Sequence, residues 1–151
     1  INNLLRVLGF FKEINKLTPI VFPMHPRLRD KLKQNDPERN TVAILGINYP
    51  IEPLGYLQFL KLMKSAAFIV TDSGGIQEEA VLLGKQCFTL RRSTERPSTV
   101  ESGSNVLINP DVTTDREKVL SFAQNPVTPD ITVPQFWDGQ TGERIAKILA
   151  A

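Results

Sequence analysis

The chain has 151 residues, of which 41% are hydrophobic and 23% charged, a size and composition typical of one globular domain and not of a disordered or fibrous protein. Lysine and arginine outnumber aspartate and glutamate by only 18 to 16, so the net charge of +2 gives no reason to expect a nucleic-acid partner. No run of about 18 apolar residues and no signal peptide is found, so we expect no membrane span and a cytoplasmic protein.

The single cysteine and the first residue each carry a further expectation. Cys87 excludes an internal disulfide and a cysteine-clustered zinc site, and its apolar surroundings predict a buried structural thiol. The chain begins at Ile1 with a pattern that is already helical. We therefore expect a piece of a longer protein.

Apolar residues predict helices and short strands in alternation along the chain. The predicted elements of the first half are a helix with the stripe Leu4, Leu8, Phe11 and Ile14, a strand at Ile20–Phe22, a helical turn or two over Arg27–Lys33, a strand at Val42–Leu45, and a helix with the stripe Tyr56, Phe59, Leu60 and Met63. Those of the second half are a strand at Phe68–Thr71, a helix over Ile76–Leu83 capped by Gly84, strands at Cys87–Leu90 and Asn105–Ile108, a helix through Ala123 after the capping-box spacing of Thr114 and Glu117, and a last helix with the stripe Ile145, Ile148 and Leu149.

Apolar strands separated by helices predict a doubly wound α/β domain, with a mostly parallel, Rossmann-like sheet of about five strands. In such folds ligands bind outside the carboxyl ends of the strands. Candidate site residues are therefore expected where the strands end.

The turn Asp72–Gly75 follows one predicted strand and leads directly into a helix. Two glycines let the backbone approach a ligand closely, and the first-turn amides of the helix attract anions, so Ser73, Gly74 and Gly75 suit a phosphate group. The segment matches neither a Walker loop nor G-x-G-x-x-G. The alternative is an ordinary strand-to-helix turn in which Ser73 caps the helix. Glu78 and Glu79 follow the turn. One of these carboxylates could accept hydrogen bonds from ribose hydroxyls, although both also interact favourably with the start of the helix.

Two more strand ends carry polar residues. His25, the only histidine, follows the strand at Ile20–Phe22 and could contact phosphate or donate a proton to a leaving group, but could also be structural. Three arginines, among them Arg96, follow the strand at Cys87–Leu90 and suit a diphosphate. The alternative there is a surface loop in which Glu95 pairs with an arginine.

Four segments together resemble the non-hydrolysing UDP-N-acetylglucosamine 2-epimerases. In this sequence they are Pro23–Arg27, Thr71–Glu79, Thr94–Pro97 and Asp138–Gln140. The resemblance covers essentially the whole chain but only the second of the family's two Rossmann-like domains, which together form a GT-B-like architecture. It implies that residues 1–151 are a single UDP-binding carboxy-terminal domain and that the amino-terminal domain is absent.

The resemblance also implies roles for individual residues. Ser73, Gly74 and Gly75 would hold the UDP diphosphate, and Glu79 the ribose. The remaining assignments place Arg96 at the phosphates or in their neighbourhood, the segment around Phe59 beside the uracil, and His25 at the position of the family's essential histidine.

The implied activity is the interconversion of UDP-GlcNAc and UDP-ManNAc by elimination and re-addition of UDP. The acidic groups that remove the C2 proton would come from the absent domain, so the isolated chain is expected to be inactive. The resemblance implies a UDP-sugar substrate, no metal or redox cofactor, and a homodimer at full length.

Three other hypotheses about the function remain open. A hydrolysing epimerase would release the sugar, and the partner domain would decide between the two outcomes. A glycosyltransferase carboxy-terminal half has the same fold but is disfavoured by the combined motifs. A stand-alone or regulatory nucleotide-sugar-binding module would bind without catalysis.

Overall fold

The computed structural model describes residues 2–35 and 49–150, which divide into two compact units. The first unit comprises the described parts of Ile1–Phe68 and Ile108–Val127, and the second those of Ile69–Leu107 and Thr128–Ala151. The predicted strand at Val42–Leu45 lies outside the described residues. None of the helices formed by residues 2–35 and 49–150 is long and apolar enough to cross a membrane.

Helices and strands alternate through both units. In chain order the elements are α1 (Asn2–Asn15), β1 (Val21–Pro23), α2 (Pro26–Asn35), β2 (Tyr49–Ile51), α3 (Tyr56–Ser65), β3 (Ile69–Thr71), α4 (Gly74–Leu82), β4 (Cys87–Thr89), α5 (Pro97–Glu101), β5 (Asn105–Leu107), α6 (Thr113–Gln124) and α7 (Thr141–Leu149).

In the first unit β1 pairs with β2, and both strands run in the same direction. The sequence predicts β1 to within one residue but not β2, whose three residues include a proline and lack an apolar run. Helix α1 contacts α6, and Leu8 and Ile14 of α1 and Val119 of α6 are all almost fully buried. The helical spacing therefore identifies Leu8 and Ile14 as core residues, but it misses Phe10, which is 1% exposed.

In the second unit β4 lies between β3 and β5, and all three strands are parallel. All three residues of β4 are buried, as expected for the central strand of a covered sheet. Helix α4 contacts all three strands, and its Ala80 and Val81 are buried. Parallel pairing in both units confirms the predicted α/β class.

Cys87 is fully buried at the start of β4, as predicted. Burial raises the pKa of its thiol to about 11, and a hydrogen bond with Thr89 offsets part of that rise. The thiol is therefore protonated near neutral pH and plays a packing role.

The helix caps confirm one prediction and correct another. Helix α4 ends in a Schellman motif: the Gly84 amide donates to the Val81 carbonyl, the Lys85 amide donates to that of Ala80, and Gly84 takes φ 64°. The predicted capping box of Thr114 and Glu117 is wrong.

At the start of α6 the helix begins at Thr113, so Thr114 already lies inside it. Val112 holds the N-cap position without a side-chain bond. The Asp115 carboxylate accepts instead from the Asn109 amide at 3.0 Å, and this bond is the main cause that lowers the pKa of Asp115. The loop is thereby tied back by a residue of the first turn.

Helix α7 is amphipathic, but its apolar stripe is not buried in the second unit. Ile145, Ile148 and Leu149 are 51%, 75% and 81% exposed. The turn before it is fixed by Arg144, which donates to both Asp138 oxygens at 2.9 and 3.0 Å and to the carbonyl of Phe136.

Candidate functional site

The turn between β3 and α4 places two glycine amides in a first helical turn. The Ser73 amide donates to the Thr71 hydroxyl at 3.1 Å, and α4 begins at Gly74, two residues earlier than predicted. Amides of a first helical turn have no acceptor within the helix. Gly74 and Gly75 therefore present their amides at the positive end of the helix dipole, a position that favours an anion.

Ser73 occupies the N-cap position of α4 without capping it. Its backbone is extended, with φ −92° and ψ 133°, and within the described part of the chain its side chain makes no capping hydrogen bond. The alternative in which Ser73 is an ordinary cap is therefore not what the structure shows. The hydroxyl stays available as a donor beside the two amides.

The segment Glu95–Arg96 lies against Gly74. A methyl group built on Gly74 would lie 2.6 Å from Glu95 Oε1 and 3.9 Å from Arg96 Nε. The structure thus brings together the glycine turn and Arg96, which the family resemblance assigns to the phosphates or their neighbourhood.

Charged side chains surround this turn. Arg91 donates to Glu95 at 2.9 Å, and Arg96 Nε lies 3.2 Å from Glu78 Oε1. A hydrogen bond from its own backbone amide is the largest cause that lowers the pKa of Glu95, followed among the lowering causes by the charges of Arg91 and Arg96. A carboxylate anion therefore lies beside Gly74, in a place that suits negative charge.

These ion pairs are weak and exchangeable. The side chains of Arg96 and Glu78 are 43% and 39% exposed, and such pairs contribute little net stability. The alternative in which Glu95 satisfies an arginine is correct for Arg91. The pair between Arg96 and Glu78 is therefore easily broken, and Arg96 lies close to Gly74.

Glu79 stands one helical turn after Gly75 and is half-buried. Residues four apart lie on the same side of a helix, so its carboxylate shares the side that presents the Gly75 amide. Glu78 is paired with Arg96, which leaves Glu79 as the carboxylate better placed to accept from a diol.

His25 lies in the first unit, at the start of α2. Its imidazole is exposed, and Nδ1 accepts a hydrogen bond from the Arg27 amide at 3.2 Å. The histidine therefore caps its own helix, a role that the sequence analysis did not foresee. With Nδ1 as acceptor, the neutral ring carries its proton on Nε2, which is then the donor available to a ligand.

Phe59 also belongs to the first unit, on the first turn of α3. It is half-buried, and its amide donates to the Gly55 carbonyl at 2.9 Å. Of the predicted site residues, Ser73, Gly74, Gly75, Glu79 and Arg96 share the second unit, whereas His25 and Phe59 share the first.

A buried polar network that we did not predict from the sequence lies behind the glycine turn. Gln77, Thr99 and Asn105 are at most 2% exposed, and their side chains are joined through hydrogen bonds of 2.9–3.0 Å. One signal could have revealed it: Gln77 precedes the buried Ala80 and Val81 by three and four residues, so a polar residue stands on the core side of α4.

No group of three or more histidine, cysteine, aspartate and glutamate side chains that could hold a metal ion occurs among the residues described.

Comparisons with known proteins connect this geometry to one family. A family model described as UDP-N-acetylglucosamine 2-epimerase matches residues 1–150. The UDP-N-acetylglucosamine 2-epimerase of Methanocaldococcus jannaschii is 43% identical over 134 residues, which cover 86% of this chain and 34% of that protein. The UDP-2,3-diacetamido-2,3-dideoxy-D-glucuronate 2-epimerase of Pseudomonas aeruginosa is 32% identical, over 89% of this chain and 35% of its own length.

A solved structure is similar over almost the whole chain. The Methanocaldococcus jannaschii UDP-GlcNAc 2-epimerase in complex with UDP-GlcNAc and UDP superimposes with a TM-score of 0.78 at 40% identity, covering 98% of this chain and 40% of that protein. The chain thus spans 34–35% of the length of the two curated relatives named above.

Proposed function

This chain belongs to the UDP-N-acetylglucosamine 2-epimerase family, and from that premise we propose that it is the UDP-binding carboxy-terminal domain of a two-domain, GT-B-like epimerase. The longer enzyme would interconvert UDP-GlcNAc and UDP-ManNAc, as an isomerase. The isolated chain would bind UDP without turnover, because the acidic groups that remove the C2 proton would belong to the amino-terminal domain.

One observation carries the proposal: the glycine turn offers free donors and an arginine at one place. The amides of Gly74 and Gly75 start α4, the Ser73 hydroxyl makes no capping bond within the described chain, and Arg96 lies beside Gly74. Together they suit the two phosphates of UDP. Relatives that act on different sugars share the UDP group in their names, which supports a site for UDP in the part they have in common with this chain.

The remaining predicted residues have proposed roles of their own, one in the second unit and two in the first. Glu79 would accept from the ribose hydroxyls, and Phe59 would lie beside the uracil. His25 would act through Nε2, since Nδ1 is engaged by the Arg27 amide. Its donor would contact the diphosphate or protonate it as it leaves.

The proposed reaction needs this domain to retain UDP between two steps. Loss of the C2 proton and cleavage of the C1–oxygen bond would give a glycal and free UDP. Proton return at the other face of C2 and re-addition of the UDP oxygen to C1 would complete the inversion. The amides and Arg96 would stabilise the charge that develops on the diphosphate as the bond breaks, which is the usual contribution of preorganised donors.

We further propose that the longer protein is a homodimer and works in the cytoplasm. Sedimentation of the longer protein at micromolar concentration tests the dimer: a single species of twice the monomer mass is expected, and a monomer would contradict it.

Calorimetric titration of this chain with UDP tests the binding role. Saturable binding of UDP, with AMP and inorganic phosphate much weaker, is the expected result. UDP binding no tighter than phosphate, in this chain and in the longer protein alike, would contradict it. An assay of the longer protein for UDP-ManNAc formation then tests the activity, and release of free sugar would instead indicate a hydrolysing epimerase.

A further inference from the structure

Gln77 is a neutral amide in a fully buried position. It lies on the side of α4 that packs on the sheet, with 0% of its surface exposed. A buried amide is costly unless its donors and acceptor are satisfied. Its Nε2 donates to the Ser73 carbonyl at 3.3 Å, and its Oε1 accepts from the Thr94 hydroxyl at 2.7 Å and from Asn105 Nδ2 at 2.9 Å. One side chain therefore holds the glycine turn and the segment that carries Arg96.

The backbone of Arg96 is fixed on both sides by members of the same network. Its amide donates to the Thr94 hydroxyl at 3.0 Å, and its carbonyl accepts from the Thr99 hydroxyl at 2.7 Å. Thr99 in turn accepts from Asn105 Nδ2 at 3.0 Å. The position of Arg96 is therefore set by side chains that converge on Gln77 and Asn105.

The network admits only one orientation of the Gln77 amide. If the amide were turned over, its NH₂ group would face the Asn105 NH₂ group and its oxygen would face the Ser73 carbonyl. A donor would then face a donor, and an acceptor would face an acceptor. Thr89, which donates to Asn105 Oδ1 at 2.6 Å, fixes the Asn105 amide in the same way.

We infer that Gln77 is a positioning residue, which holds the Ser73–Gly75 turn and Arg96 in the one arrangement that receives a nucleoside diphosphate. The inference rests on the proposed function, because it names the group that organises the same site. Gln77 is buried and reaches the ligand only through Ser73 and Thr94. Its effect is confined to the phosphates and leaves recognition of the nucleoside unchanged.

A matched pair of variants separates positioning from stability. Gln77→Met keeps the length of the side chain and removes its hydrogen bonds to Ser73, Thr94 and Asn105. Gln86→Met is the control, because Gln86 is also buried in the second unit and donates to a backbone carbonyl, that of Ser104, at 2.9 Å. Both variants remove a buried amide, so both are expected to lower the unfolding temperature.

The readout is the ratio of the affinities for UDP and for uridine, measured by NMR or calorimetry. In Gln77→Met we expect UDP affinity to fall about tenfold and uridine affinity to stay within about twofold, the size expected when hydrogen bonds that order a site are lost. In Gln86→Met the ratio stays at the wild-type value. An unchanged ratio in Gln77→Met, or an equal fall in both variants, overturns the inference.

A second pair covers the case in which Gln77→Met does not fold. Thr94→Val removes the hydroxyl that joins Gln77 to the Arg96 amide, and Thr94→Ser restores it. The ratio is expected to fall in Thr94→Val and recover in Thr94→Ser. Equal ratios in these two variants overturn the inference.

The amide NMR spectrum of the chain without ligand distinguishes failure of this inference from failure of the proposed function. If UDP binds no better than phosphate in the wild-type chain and in the longer protein alike, the proposed function fails first. The positioning role then still requires that Thr94→Val shifts the amide signals of Ser73, Gly74 and Arg96 together, and that Gln86→Met leaves them in place. If Thr94→Val leaves those three signals unshifted, the inference fails as well.

Discussion

Two turns of this chain lead from a strand into a helix and carry candidate site residues, and they use their polar groups differently. After β3, Ser73 stands at the N-cap position without a capping bond in the described structure, so its hydroxyl and the glycine amides remain available. After β1, His25 caps α2 through Nδ1. The side chain at the start of a helix can thus leave the helix uncapped, as Ser73 does, or cap it with one atom, as His25 does with Nδ1. In the second case the other ring nitrogen, Nε2, makes no contribution to the cap.

The support behind the two turns also differs. The turn after β3 is backed by Gln77 and Asn105, both at most 2% exposed and hydrogen-bonded to each other. The imidazole of His25 is exposed and is held by a single bond to the Arg27 amide. The turn after β3 is therefore preorganised, a property that lowers the cost of binding a ligand. The turn after β1 is held by a side-chain hydrogen bond that one substitution removes.

Gly74→Ala should produce the largest effect on binding. The new methyl group would stand between the turn and the Glu95–Arg96 segment, where the phosphates are proposed to bind, so UDP affinity should fall by about 2 kcal/mol or more, roughly 30-fold. Stability should stay close to wild type, because the Glu95 carboxylate that the methyl group meets is the end of a flexible side chain. Calorimetry and thermal unfolding measure the two quantities.

Gly142→Ala is the matched control for this change, since a methyl group built there meets nothing within 4 Å. It should bind UDP like the wild type. Wild-type affinity in Gly74→Ala as well would remove the turn from the site.

Ser73→Ala and Glu79→Ala should each weaken UDP binding by roughly 1–3 kcal/mol, the usual cost of leaving a hydrogen-bonding partner unpaired. Because Ser73 makes no capping bond in the described structure, its alanine variant should lose affinity without losing helix stability. Equilibrium unfolding in urea checks the stability, and the UDP titration checks the affinity. Unchanged affinity in both variants would contradict the assignment.

His25→Ala should destabilise the chain by about 1 kcal/mol, because the cap of α2 is lost. His25→Asn should recover most of this, since asparagine is a good N-cap residue. Urea unfolding of the two variants and the wild type provides the measurement. Equal stability of the alanine and asparagine variants would show that the Nδ1 bond does not cap the helix.

The turn before α7 extends the comparison with a carboxylate. Hydrogen bonds from Arg144, and after them one from the Gln140 amide, lower the pKa of Asp138 to about 2. A carboxylate whose folded pKa is lowered stabilises the fold above its unfolded pKa of about 3.9 and loses that effect as pH falls through the folded value. The ion pair should therefore persist from neutral pH down to about pH 2.

A carbon-detected NMR titration of the Asp138 carboxyl group measures this pKa directly. A midpoint near that of an unperturbed aspartate would contradict the pairing. In Arg144→Gln the midpoint should rise toward that ordinary value, because the largest cause of the shift is removed.

Much of the fold was predictable, because apolar spacing and glycine positions act locally. The stripe of Leu8 and Ile14 and the cap at Gly84 were identified from nearby residues alone. Strand β2 was not, since Tyr49–Ile51 lacks an apolar run and is ordered by its pairing with β1. The capping box failed because α6 starts one residue before Thr114, and a helix start depends on contacts beyond the capping pattern.

The residues of the candidate site also divide into those that the local sequence identifies and those that depend on contacts formed in the fold. Ser73, Gly74 and Gly75 stand at a strand end, where the rule for parallel sheets places ligands, and the structure puts Arg96 beside them. Gln77 and Asn105 were missed because they are 28 residues apart in sequence and meet only after the sheet has formed. The capping role of His25 depends on the rotamer of one ring, which sequence does not encode.

Amide NMR of this chain during a UDP titration tests whether the turn after β3 is the diphosphate site. We expect saturable shifts that are largest at Ser73, Gly74 and Gly75, extend to Glu79 and Arg96, and are much smaller with AMP or inorganic phosphate at equal concentration. If UDP instead shifted residues elsewhere and left the glycine turn unchanged, the turn after β3 would not be the diphosphate site.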